Sequence, residues 1–212
     1  MKRCLVINPN MTEAVTALVV EACQRRQPGV RWEGVTARTG APYIADEVAY
    51  VHGAHAALDM LAQTYDGHDA VLVACFGDPG LLALRQSSHV PVLGLTSASL
   101  QAAARHGRFA IVTGGTDSVP MLERFTRAHR LDTHLSGIYA IEWTGLHIAA
   151  DPEGACEALL AAAQQDVEDG AALILLSGAA LAGLADQLQP RMAVPVLDSI
   201  VLSAQAVVEA LA

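Results

Sequence analysis

The sequence predicts an α/β fold made of two pseudo-symmetric lobes, each with a four-stranded parallel sheet, and three observations support this prediction. Short apolar segments alternate with longer amphipathic ones along the whole chain of 212 residues. Most of the short segments are apolar throughout, which is typical of strands buried on both faces of a parallel sheet. Phrases in the first half of the chain recur, in the same order, in the second half.

The strands are predicted where short runs of apolar and β-branched residues lie between turn-forming residues. The predicted strands are 4–7, 31–36, 70–74, 91–95, 109–113, 135–141, 172–176 and 195–197. Helices are predicted in the longer amphipathic stretches between them, and Pro79 marks the start of the third because proline suits the first helical turn. The predicted helices are 12–26, 46–65, 79–87, 97–106, 117–129, 152–168, 179–188 and 199–211.

The internal repeat predicts two lobes. The matching segments are 3–10 with 108–115, 70–81 with 171–181, and 90–94 with 194–198. We expect an N-terminal lobe of residues 1–97 plus 199–212, which carries Cys75, and a C-terminal lobe of residues 98–198, which carries Thr113 and Gly178. Since no linker rich in Pro, Ser or Gly separates the halves, the lobes should pack as one body.

Composition and charge exclude several classes of function. A net charge of −9 without any basic run argues against binding nucleic acid or an anionic membrane. The start of the chain does not read as a signal peptide, and no apolar run is long enough to span a bilayer. The four cysteines lack clustered spacing and none of the eight histidines has metal-ligand spacing, so we expect no metal site and a reducing, cytoplasmic location. The apolar composition favours a homo-oligomer.

A cleft between the two lobes is the predicted place for a ligand, because open α/β sheets bind ligands at the carboxyl ends of their strands. The loops expected there are 8–10, 75–78, 113–116 and 177–180.

Cys75 is the strongest catalytic candidate. Its thiol follows a predicted buried strand and precedes a predicted helix, where the helix dipole would favour a thiolate. Gly77 and Gly80 would let a ligand approach the backbone. The alternative is an inert buried cysteine, which is how we read the other three thiols.

Polar residues at the other strand ends are candidate binding groups. Asn8 should point into the cleft, whereas Asn10 could instead form a capping box with Glu13. Thr113 and Gly114 belong to a turn whose N–H groups could form an oxyanion-binding nest. Asp78 could cap the helix after Pro79 or position Cys75. Asp198 could cap the last helix or sit behind the second half of the site.

Three sequence phrases together resemble the aspartate/glutamate/hydantoin racemase superfamily, and most closely its hydantoin and allantoin racemases. They are Ile-Asn-Pro-Asn at 7–10, Ala-Cys-Phe-Gly-Asp-Pro-Gly-Leu at 74–81 and Val-Pro-Val-Leu-Asp at 194–198. The resemblance extends over essentially the whole chain. It implies a cofactor-free site in which two cysteines face opposite sides of the substrate α-carbon, one removing a proton and the other returning one.

The resemblance also implies roles for individual residues. Cys75 would be the first of the two cysteines. Asn8 and Thr113, with backbone N–H groups near Phe76, Gly77 and Ala179, would hold the carboxylate or ring carbonyls of a small carboxylate or cyclic ureide substrate.

The chain departs from the family pattern at the second cysteine. Gly178 occupies that place and Ser177 precedes it, and a serine without an activating partner is a poor base.

Three functions therefore stay open. The first is an isomerase acting on a hydantoin, allantoin or amino-acid derivative, with water, Ser177 or spontaneous exchange serving the second face. The second is a lyase of the arylmalonate-decarboxylase kind, in which Cys75 protonates a carbanion on one face. The third is a binding protein that has kept the pocket. The first is preferred, by a narrow margin.

Overall fold

Two four-stranded sheets, each entirely parallel, form the centre of the protein. The computed structural model describes the backbone of residues 1–212 and every side chain except those of residues 145, 146 and 149. The strands are β1 Lys2–Asn8, β2 Val30–Thr36, β3 Ala70–Val73, β4 Val92–Gly94, β5 Phe109–Gly114, β6 Leu135–Ile141, β7 Leu173–Ser177 and β8 Val196–Asp198. The helices are α1 Glu13–Arg26, α2 Glu47–Thr64, α3 Leu81–Ser87, α4 Leu95–Ala104, α5 Val119–Ala128, α6 Gly145–Ala150, α7 Pro152–Glu168, α8 Ala185–Leu188 and α9 Ser199–Leu211.

The two sheets have the same topology, which confirms the predicted fold class. The strand order is β2-β1-β3-β4 in the first sheet and β6-β5-β7-β8 in the second. The inner strands are buried on both faces: Leu5 and Ile7 pack against the core under α2, while Cys4 and Val6 pack on the side of the other lobe. This two-sided burial explains why the strands read as continuous apolar runs.

One apolar core joins the two lobes. Leu72 of the first sheet and Leu175 of the second belong to the same buried cluster, together with Leu100 of α4 and Ile200 of α9. Helices α4 and α9 pack against each other, and α9 contacts strands of both sheets. Among the helices that the structure describes, none is both long enough and apolar enough to cross a membrane.

Glycines shift two of the predicted helices. Helix α3 begins at Leu81 rather than at Pro79, because Gly80 adopts a φ of 79°, and a Cβ at Gly80 would lie only 3.0 Å from the Ala54 carbonyl oxygen. Gly80 therefore serves helix packing and does not open the backbone to a ligand. The helix predicted over 179–188 is interrupted by Gly183 at a φ of 86°. It is replaced by a 3₁₀ turn at Ala179–Leu181 and the short α8. Helix α6 was not predicted.

Asp166 on α7 is a buried carboxyl group whose two oxygens have no hydrogen-bond partner among the described residues. Burial, with a smaller contribution from Asp169, raises its pKa to about 8. Because the pKa is higher in the folded state than in the unfolded state, folding is favoured at acidic pH and this contribution is lost as the pH rises through about 8.

We expect Asp166→Asn to raise the unfolding free energy by about 1–3 kcal/mol at pH 9 and much less at pH 5. Urea unfolding at both pH values measures this, with Glu168→Gln, at an exposed position of the same helix, as the control. An equal effect at both pH values would contradict the prediction.

Candidate active site

A small cavity lies between the carboxyl ends of the two sheets. Its volume, counted as the space open to the centre of a water molecule, is about 40 Å³. The first lobe contributes Asn10, Val15, Tyr43, Ile44, Cys75 and Phe76. The second lobe contributes the small and polar residues Thr113, Gly114, Ser118, Ser177, Gly178 and Ala179. Apolar side chains of Met121, Leu122, Ile148 and Leu181 complete the wall. The cavity thus lies in the cleft predicted from the strand ends.

Cys75 lies in the loop that follows β3, and its residue is only 6% exposed. Its side chain packs with Ile44 and Ala49 in a small apolar cluster. Of the four cysteines, Cys75 is the one that lines the cavity, while Cys4 and Cys23 are buried in the core and Cys156 lies on α7. The structure therefore brings one thiol to the site.

The thiol of Cys75 is held in its protonated form, which corrects the expectation of a thiolate. Burial, and then the nearby Asp78 carboxyl group, raises the pKa of Cys75 to about 12. The helix dipole does not offset this, because α3 is short and begins six positions later at Leu81. In this state Cys75 is a proton donor, and it becomes a base only after it loses a proton.

Asp78 caps a distant helix rather than the one that follows it. Its carboxylate accepts hydrogen bonds from the backbone N–H groups of Thr96 (2.7 Å) and Ser97 (2.8 Å) at the start of α4. Its own backbone has a φ of 53°, which is uncommon for a residue other than glycine. Asp78 is therefore a buried link between the Cys75 loop and the end of β4.

The second lobe achieves the same cap with a carboxylate from a different position. Asp198, at the end of β8, accepts from the N–H groups of Ile200 and Val201 and also from Gly183. The residue at the corresponding strand end in the first lobe is Gly94, and a Cβ placed there would collide with the carboxylate of Asp78. The two lobes therefore fill equivalent space with carboxylates from different positions.

Asn8 does not point into the cavity, contrary to expectation. Its amide nitrogen donates to Asn10 Oδ1 at 3.0 Å, to Thr16 Oγ1 at 2.9 Å and to the Thr12 carbonyl at 3.2 Å. Asn8 is buried, and these hydrogen bonds stabilise the turn between β1 and α1. Asn10 does line the cavity, and its Oδ1 also accepts from Thr12 N, so the capping box expected with Glu13 is not formed.

The backbone groups expected to bind substrate are only partly free. The N–H of Gly77 donates to Thr96 Oγ1, so it is already engaged, and Gly77 is not part of the cavity wall. Gly115 N donates to the Ile141 carbonyl, which removes one donor from the expected nest. The cavity does reach Phe76, Gly114 and Ala179.

Two hydroxyl groups lie side by side in the second half of the site. Thr113 and Ser177 are paired in register on the neighbouring strands β5 and β7, and both line the cavity. Ser177 Oγ is buried and has no hydrogen-bond partner among the described residues. Gly178 follows with a φ of 126°, and the atoms closest to a Cβ built there are Leu181 Cγ at 3.7 Å and Thr113 Oγ1 at 3.8 Å.

A loop from the first lobe closes over the cavity. Tyr43 donates a hydrogen bond from its hydroxyl to the Gly114 carbonyl (2.9 Å) across the cleft, and burial raises its pKa to about 12.

Glu47 and Arg124 form a bidentate ion pair, at 2.8 and 3.1 Å, between α2 and α5. Motif-based reasoning missed Ile44 and Met121, since apolar residues in loops and helices carry no distinctive signal.

The charged side chains give no sign of a metal centre. Within the part of the chain that the structure describes, no group of three His, Cys, Asp or Glu side chains is placed to bind a metal ion. The ionisable side chains that line the cavity are the Cys75 thiol and the Tyr43 phenol.

Known proteins share both the sequence and the fold. The family model described as "Asp/Glu/Hydantoin racemase" matches residues 4–207. A hydantoin racemase of Rhizobium meliloti is 33% identical in an alignment of 205 positions that covers 92% of this chain and 83% of that protein. The allantoin racemase of Klebsiella pneumoniae superposes with a TM-score of 0.92 at 29% identity, over 99% of this chain and 87% of that one.

A more distant likeness concerns the fold alone. The Gly74Cys mutant of arylmalonate decarboxylase superposes with a TM-score of 0.66 at 19% identity, over 99% of this chain and 93% of that chain. The family match covers nearly the whole chain, and the racemase structures agree with it in both sheets. The chain belongs to the Asp/Glu/hydantoin racemase family, and it is accordingly an enzyme of the isomerase class.

Proposed function

We propose that the protein moves a proton at the α-carbon of a small cyclic ureide of the hydantoin or allantoin type, or of an amino-acid derivative, with Cys75 as acid and base. The single observation that carries this proposal is the Cys75 thiol in the wall of the cavity between the two lobes. The proton on the α-carbon of such a compound is weakly acidic because the adjacent carbonyl stabilises the carbanion. Asn10 and Thr113 would hydrogen-bond the ring carbonyls.

The names of the relatives support this substrate class. The hydantoin racemase and the allantoin racemase both act, by name, on compounds with a ureide ring. The cavity wall contains few charges, which suits a neutral ring better than a dianion. No cofactor is needed for this proposal, because proton removal and return require only an acid and a base.

The pH dependence of the reaction tests the role of Cys75 as a base. A thiol with a pKa of about 12 is mostly protonated at neutral pH. As long as the pH is below the pKa, the thiolate fraction grows about tenfold for each unit by which the pH rises. We expect enzyme-catalysed exchange of the α-proton in D₂O to rise with a slope of about one in a plot of log rate against pH, from about pH 7 to 9. The measurement is NMR of 5-methylhydantoin and allantoin, corrected for the uncatalysed rate at each pH. A rate independent of pH would contradict proton removal by Cys75.

A second function, decarboxylation, is favoured by the protonated state of the same thiol. Loss of carbon dioxide from a malonate generates a carbanion without a base, so a single thiol in its acid form suffices to protonate the product. The absence of a thiol at Gly178 is compatible with this reaction. Incubation with aryl- and alkylmalonates tests it: carbon dioxide release and formation of one deuterated enantiomer in D₂O would replace the isomerase proposal. If neither substrate class reacts, the remaining function is binding, which isothermal titration with the same compounds would detect.

A further inference from the structure

Ser177 carries a hydroxyl group that the proposed reaction has not yet used. Its Oγ is fully buried, has no partner among the described residues and belongs to a residue of the cavity wall. Buried hydroxyl groups nearly always have a hydrogen-bond partner, and a lone one costs about 1–3 kcal/mol. A molecule in the cavity is the candidate partner for Ser177 Oγ.

The register of the sheet supplies a second hydroxyl at the same place. Thr113 is the direct neighbour of Ser177 across β5 and β7, and adjacent strands are about 4.8 Å apart. Two hydroxyls at this spacing can both hydrogen-bond one water molecule between them.

No side chain at position 178 covers the Thr113 hydroxyl. A Cβ built at Gly178 would lie in ordinary van der Waals contact with Leu181 and with Thr113 Oγ1, at 3.7–3.8 Å, and glycine leaves that position unfilled. The cavity volume of about 40 Å³, which the substrate must share, is larger than the roughly 10–15 Å³ that one water requires by the same measure. A polar site with two hydroxyl partners also meets the chemical requirement for a buried water.

We propose that Ser177 and Thr113 hold a water molecule on the side of the substrate opposite Cys75, and that this water serves as the acid on that face. The inference rests on the proposed function. The Cys75 thiolate takes the α-proton and becomes a thiol, leaving the electron pair on the carbanion. The water then gives a proton to the other face and becomes hydroxide. Proton transfer from the thiol to hydroxide, through solvent, restores both groups.

Other proton donors in the cavity are less suited to this task. The Tyr43 hydroxyl already donates its proton to the Gly114 carbonyl. The Ser118 hydroxyl likewise donates to the Gly115 carbonyl. Ser177 itself would form an alkoxide after giving up its proton, whereas hydroxide formed from the water could accept hydrogen bonds from both the Ser177 and the Thr113 hydroxyls. Ser177 is thus a positioning residue that acts through water.

The test compares loss of the α-proton with inversion of configuration. Single enantiomers of 5-methylhydantoin are incubated in D₂O with the wild type, Ser177→Ala and the matched control Ser203→Ala. Proton loss is followed by NMR and configuration by chiral chromatography, both corrected for the uncatalysed reaction. Ser203 is a buried serine on α9, outside the cavity, whose hydroxyl donates to the Ile200 carbonyl at 2.9 Å. Ser177→Ala removes no hydrogen bond to the protein and should fold like the wild type.

We expect Ser177→Ala to lower the rate of inversion about tenfold or more while proton loss from the enantiomer that faces Cys75 stays within about twofold. Ser203→Ala should change neither rate. A merely structural role of Ser177 would lower both rates together, and an unchanged ratio of inversion to proton loss would overturn the inference. So would a wild type that exchanges the proton but never inverts, in which case the role of Cys75 stands. Absence of any Cys75-dependent exchange would overturn the proposed function and this inference together.

Discussion

Replacing Cys75 with alanine is expected to lower the rate of α-proton exchange by about 10²–10⁴-fold, because a positioned acid or base contributes that much to proton transfer. The structure offers no other thiol to take its place: Cys4 and Cys23 are fully buried in the core and Cys156 lies on α7. The measurement is exchange of hydantoin and allantoin α-protons in D₂O by NMR. The fold should persist, since the variant leaves an apolar methyl group among the apolar neighbours Ile44 and Ala49.

Two variants make this result specific. Cys156→Ala removes a half-buried thiol outside the cavity and should keep the wild-type rate. Cys75→Ser keeps the shape but replaces the thiol by a much weaker acid, so it should lose nearly as much activity as Cys75→Ala. Wild-type exchange in Cys75→Ala would place the chemistry on another group.

Replacing Asp78 with alanine is expected to lower the unfolding free energy by about 2–4 kcal/mol. The variant leaves the buried N–H groups of Thr96 and Ser97 without their acceptor, and both hydrogen bonds are shorter than 2.9 Å. Gly94→Asp alone should also be destabilising, because the new side chain would enter the space that the Asp78 carboxylate occupies. Urea unfolding followed by circular dichroism measures both effects.

The double variant Asp78→Ala with Gly94→Asp turns this into a sharper test. Asp198 caps the residues two and three positions after it, Ile200 and Val201. An aspartate at position 94 would stand in the same relation to Thr96 and Ser97. We therefore expect the double variant to recover at least half of the stability that Asp78→Ala loses. Losses that simply add would contradict the equivalence of the two carboxylates.

The strands could be predicted from the sequence because the residues that show their burial are consecutive in the chain. Each inner strand is apolar along its length, and the repeat of the strand pattern in the second half of the chain indicated the matching topology of the two sheets. The position of Cys75 at the end of β3 followed from the same reasoning. Helix α6 was missed, since its six residues carry too little periodicity to distinguish them from a loop.

The environment of the site was harder to predict, because it depends on contacts between distant residues. Asp78 bonds to residues 18 and 19 positions away, whereas the sequence suggested a cap on the next helix. Burial of Cys75 in the cluster with Ile44, and to a smaller extent the same carboxylate, raises the pKa of the thiol that was expected to be a thiolate. Asn8 was expected in the cavity, but Thr16 on α1 engages its amide. None of these partners follows from a local motif.

Exchange of the α-proton from each enantiomer separately is the most direct test of a site with one thiol. Pure enantiomers of 5-methylhydantoin and allantoin are incubated in D₂O, and the initial rate of proton loss is measured for each with the wild type and with Cys75→Ala. We predict that one enantiomer loses its proton much faster than the other, and that Cys75→Ala removes this preference. Equal initial rates for the two enantiomers, or a preference that persists in Cys75→Ala, would contradict it.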